Sequence, residues 1–160
     1  MPRPTTDTYS PFMEGYIGET KGETIPELIA NHHQELLDFY GSLPEDKADY
    51  AYATGKWTVK EVLSHVIDTD AVFFYRALAL SRGETQTLPG FDQDQYADNA
   101  EATSQSLAAL KGIFAAQRTF IQSAIVSFSE TQLSRIGAGI RLPPKCQRGL
   151  LCPVRTRTAP

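Results

Sequence analysis

Two capping boxes, each opening an apolar stripe at three-to-four spacing, constrain this chain more than anything else in it. Thr24-Ile-Pro-Glu27 and Thr58-Val-Lys-Glu61 each offer a Thr hydroxyl to the third N–H of a helix and a Glu to reach back. After the first, Ile25, Leu28, Ile29, His32, Leu36, Leu37 and Tyr40 recur on one face until Gly41. After the second, Val59, Val62, Leu63, Val66, Ile67, Phe73, Phe74, Ala77 and Leu78 do so until Gly83. A third periodic run from Thr103 to Phe128 buries Leu107, Leu110, Phe114, Ile121, Ala124 and Ile125. Residues 42–57 connect the first two runs, and LPGFDQDQYADN, rich in turn formers, reads as a loop before the third. Helices are therefore expected over about residues 25–40, 58–82 and 103–128, with a short helical turn at SETQLS.

Three amphipathic helices need a fourth to close their core, so the fold class predicted is all-α, an up-down four-helix bundle. The fourth helix belongs near the C-terminal end, but RLPPKCQRGLLCPVRTRTAP is broken by Pro143, Pro144 and Pro153 and reads as coil. Composition changes at the same place. Residues 1–130 carry nine basic against 19 acidic residues, a net −10; residues 131–160 carry six basic and no acidic ones, a net +6. The expected organisation is a helical bundle over residues 1–136 and an atypical basic tail over 137–160, with the fourth helix degraded or missing.

The acidic body is a poor nucleic-acid surface, and the tail arginines are scattered rather than clustered, so no nucleic-acid partner is expected. No apolar run approaches the roughly 20 residues of a membrane span, and no secretion signal is visible; a cytoplasmic protein without a membrane partner is expected. Cys146 and Cys152, with no histidine near them, read as ordinary thiols.

There are three histidines. His32 and His33 are adjacent, point about 100° apart on a helix and read as surface or helix-flank residues. His65 lies near the start of the second helix among apolar positions, where either a hydrogen-bonded core histidine or a metal ligand fits. Asp68 and Asp70 stand within two turns of it as site-lining partners or plain solvated acids. Arg118 falls inside the apolar pattern of the third helix; it lines the site, pairs with Asp68 or Asp70, or snorkels. Asp92, after Gly90-Phe91, either lines the site mouth or caps the turn at 93–96.

The run GKWTVKEVLSHVIDTD, then FFYRALAL, then LPGFDQDQYA, resembles the DinB-like superfamily of small helical bundles over about residues 24–130. That resemblance implies a metal-dependent hydrolase or a thiol (bacillithiol-type) transferase acting on a small molecule. It also implies a divalent ion, zinc or nickel, held by three histidines. His65 occupies the first ligand position. The other two ligands come, in such proteins, from a Gly-His-Glu-x-His-His motif on the fourth helix, and no histidine follows His65 in this chain.

The last six residues, Arg-Thr-Arg-Thr-Ala-Pro, bear on that gap. With arginine written CGN, their codons read one base later permit Gly, His, Glu, Arg, His, His. The two ligand positions then fall over Thr156 and Pro160. A reading frame displaced by one base, beginning between about Gly137 and Lys145, accounts together for the charge change, the cysteines, the prolines and the missing helix. This chain keeps only His65 of the ligand set, so it is expected to be without metal-dependent activity. The competing expectation is a non-catalytic helical scaffold that forms a homodimer through the apolar surface left uncovered.

Overall fold

The computed structural model describes residues 3–135, residue 137 and the backbone of residues 140–141. The expectations for the rest of the tail 137–160, including the fate of the fourth helix, lie outside the described residues. Six α-helices are described: α1 (Glu14–Glu19), α2 (Ile25–Gly41), α3 (Val59–Ser81), α4 (Gln93–Asn99), α5 (Leu107–Val126) and α6 (Glu130–Leu133). Two-residue strands β1 (Leu88–Pro89) and β2 (Ile140–Arg141) pair in parallel, Leu88 with Ile140 and Pro89 with Arg141. The fold is all-α, with α5 packed against both α2 and α3.

The N-terminus of α3 shows why this helix starts where it does. A helix leaves its first four N–H groups without intrahelical partners. In α3 each has one. Val59 N–H donates to Tyr50 O at 3.1 Å and Lys60 N–H to Ala48 O at 3.1 Å. Glu61 N–H donates to the Thr58 hydroxyl at 3.2 Å, and Thr58 N–H donates back to Glu61 Oε2 at 2.8 Å, completing the capping box. Because every donor is satisfied, this end can be buried, and it is: Lys60 is only 6% exposed. Its ammonium group donates to Thr103 O at 2.9 Å and pairs with Asp49 at 2.8 Å. That single side chain ties the α2–α3 connection to the turn before α5. At the other end, Gly83 adopts φ 87°, a left-handed conformation that costs glycine little, and Arg135 donates to Ser81 O.

The core sits where α3 and α5 meet. Leu63 is fully buried, with Leu107, Leu110 and Phe114 around it, and Leu36, Leu37 and Tyr40 of α2 close over them. The Tyr40 and Phe114 rings lie 4.5 Å apart, tilted by 52°.

Three local expectations are corrected. The third long helix begins at Leu107 rather than near 103, because Ser106 caps it by accepting from Ala109 N–H at 3.1 Å. Ala102–Ser104 instead form a separate single turn, entered through Glu101 at φ 48°. The stretch read as a loop holds helix α4. Val62 and Phe73, counted in the buried stripe of α3, are 41% and 54% exposed. A 23-residue helix that meets α5, α4 and α6 on different flanks does not bury one straight line of side chains.

The contrast between neighbours gives a test. Leu63→Ala should destabilise the protein by about 3 kcal/mol in urea denaturation, since it opens a cavity in a filled core. Val62→Ala should change stability by less than about 0.5 kcal/mol. Equal costs at the two positions would contradict this packing.

Candidate functional site

His65 stands on the second turn of α3, just past the buried end. Its ring is half-buried, with its centroid 4.9 Å from that of Trp57 and tilted by 45°. Nδ1 is buried and has no hydrogen-bond partner among the described residues. A polar ring atom in that state costs free energy unless something outside the described residues meets it. Burial pushes the imidazole below its usual pKa, and the Asp68 and Asp94 carboxylates pull it back only in part. The folded state therefore favours the neutral ring, the form able to bind a metal.

Asp68, one turn further on, is half-buried, and burial holds its carboxyl above the usual range while His65 lowers it in part. Arg118 does not reach it. The guanidinium instead meets Asp70, with Nη1 at 3.1 and 3.0 Å from the two carboxylate oxygens. Both side chains are mostly buried, so this pair fastens α5 to α3 inside the bundle. Next to it, Gln117 donates to Ile67 O at 2.7 Å. Asp92 is the N-cap of α4, its Oδ1 accepting from Asp94 and Gln95 N–H, each at 3.2 Å. The structure thus brings His65, Asp68 and Asp94 into one electrostatic neighbourhood. Arg118 is spent on Asp70 and Asp92 on its cap.

Sequence reasoning missed two features. Thr69 Oγ1 and Arg76 Nε are also buried without partners among the described residues, and with His65 Nδ1 they fall four and eleven residues apart, on one stripe of α3. Helical spacing could have aligned them, but nothing in the sequence says which polar atoms go unmatched. His32 is not a plain surface residue: its Nε2 accepts from Lys21 N–H at 2.8 Å, and Asn31 donates to Lys21 O, pinning the approach to α2.

A family model of the DinB superfamily matches residues 28–148. The chain belongs to the DinB superfamily. A protein of Oceanobacillus iheyensis that carries the provisional name of a metal-dependent hydrolase is 25% identical to it over 88 residues, covering 53% of this chain and 51% of that protein. The chain thus spans about half the length of the curated relative it matches. No solved structure matches. No helix among the described residues is long and apolar enough to cross a membrane.

A metal is consistent with that superfamily relative, yet no three His, Cys, Asp or Glu side chains come together among the described residues to hold an ion. His65, with its unmatched Nδ1, suits the role of one ligand, but one ligand does not make a site, so the described residues do not fit a bound metal.

Because the unfolded chain takes up a proton on His65 at a pH where the folded ring is still neutral, stability should fall as pH drops below about 6.5. Proton NMR should place the His65 ring titration below 6.5, and His65→Gln should flatten that part of the pH dependence. A ring titrating above 6.5 would contradict the burial described.

Proposed function

We propose that this bundle is the scaffold of a metal-dependent hydrolase or thiol transferase acting on a small molecule, and that this chain has an incomplete ligand set. The observation that carries the reading is His65: half-buried, ring against Trp57, its Nδ1 unmatched, and without the two further side chains a metal site needs among the described residues. The superfamily membership and the metal-dependent name of the relative support the class of activity. A catalytic ion needs about three protein ligands and an open position, and zinc or nickel would suit imidazole donors. His65 would be the first of those ligands, and Thr156 and Pro160 mark where a frame displaced by one base would put the other two. Thr offers only a weak hydroxyl and Pro no side-chain donor, so this chain carries out no metal-dependent step. What its own residues still do is half-bury an imidazole against Trp57, near the Asp68 and Asp94 carboxylates.

A second reading is a non-catalytic scaffold that pairs with another copy of itself. It is favoured by the groove of about 640 Å³ between α2 and α5, lined by Leu28, Ile29, Leu36, Ile121 and Ile125, and by Phe39 exposed at its rim.

Two chains separate these readings: the present one, and one with Arg155–Pro160 replaced by Gly-His-Glu-Arg-His-His and the preceding segment re-read in the displaced frame. After dialysis, elemental analysis should find no stoichiometric ion in the first and about one per chain in the second, lost on His65→Ala. An ion retained by the first chain through His65 would overturn the incomplete site. No ion in the second would overturn the metal reading and leave the scaffold.

A further inference from the structure

We propose that the cleft between α3, α4 and the start of α5 binds a small primary amine with an apolar body, whose ammonium group is held by Asp68. The cleft measures about 550 Å³, and its floor is Leu110, only 2% exposed. Its lining mixes apolar Ile67 and Ile113 with the polar groups of Asp68, Ser64, Gln95 and Gln105. A few polar groups converging on an otherwise apolar hollow is the ordinary composition of a ligand pocket.

Charge decides the class of ligand. Every cation on the two long helices that wall the cleft is engaged elsewhere. Lys60 is held by Asp49, Lys111 by Glu45 at 3.1 Å and Arg118 by Asp70. Arg76 donates to Pro89 O at 3.0 Å and stacks over Phe73 and Phe91. Helix α4 brings acids and no base. Asp68 is therefore a half-buried carboxylate with no cation among the described residues to meet it. An incoming ammonium group would give this partly buried carboxylate a charge-assisted hydrogen-bond partner. A neutral alcohol offers a weaker hydrogen bond, and a carboxylate ligand would be repelled. The oxygens of Ser64, Gln95 and Gln105 can accept the remaining N–H bonds.

Amine binding in this cleft needs the described bundle alone and does not rest on the metal reading. The test is a titration of the full chain, with a chelator present, by benzylamine, benzyl alcohol and phenylacetate, followed by ¹⁵N–¹H spectra. Benzylamine should shift the amides of α4 and of residues 64–68 saturably, and the other two should not. Asp68→Asn should weaken benzylamine binding by about tenfold or more, the scale of one charge-assisted hydrogen bond. Ile113→Trp, which fills the rim without entering the core, should weaken it to a similar degree. If Asp68→Asn does not give a folded spectrum, Ile113→Trp alone decides. Three ligands shifting the same amides equally, no saturable shift by benzylamine, or variants that bind it as the parent does would each overturn the proposal.

Discussion

The buried N-terminus of α3 is the constraint on which the rest of the structure hangs. All four leading N–H groups are bonded, two to the preceding connection and two through Thr58, so the helix can enter the interior at its most polar point. Lys60 then uses its ammonium group to draw Asp49 and the Thr103 carbonyl onto the same spot. Leu63, one turn on, lands in the centre of the core, and His65 lands beside Trp57 at its edge. Loosening this end would move the core and the candidate ligand together.

Past that end the interior is held by a few committed polar contacts. Arg118 and Asp70 join α5 to α3, and Gln117 reaches the α3 backbone beside them. What remains uncommitted among the described residues is concentrated on α3: His65 Nδ1, Thr69 Oγ1 and Arg76 Nε on one stripe, and Asp68 on its flank. Structural polar groups in interiors find partners, so unmatched ones on a single helix mark a face whose partner lies beyond the described residues or arrives as a ligand.

Much of this was legible in the sequence because the signals were local. Thr24 and Thr58 cap the starts of α2 and α3, although only the second closes a full box because Glu27 accepts from Glu23 N–H instead; Gly83 set the end of α3, and the periodic stripes gave the helical class. What was not legible depended on distant partners. Nothing near Lys60 says that it is buried, because its partners come from Asp49 and from Thr103, 43 residues away. The choice of Arg118 between Asp68 and Asp70 turns on the crossing of two helices, and only the fold decides it. Helix α4 was hidden by the turn-forming residues of its own first turn, where Asp92 acts as a cap instead of ending order. At the site, the sequence could nominate His65 from its place in the motif, but not the unmatched nitrogen that makes it chemically interesting.

The central proposal is that a helical bundle carries a metal-ligand set left incomplete in this chain, its tail being read in a displaced frame. The most direct test is the intact mass, with sequencing of C-terminal peptides, of the protein produced from the unmodified natural gene. The account predicts a mass different from the 17.7 kDa of the present chain, and peptides containing Gly-His-Glu-x-His-His. A mass of 17.7 kDa with peptides ending Arg-Thr-Arg-Thr-Ala-Pro would contradict it and leave His65 without the partners proposed.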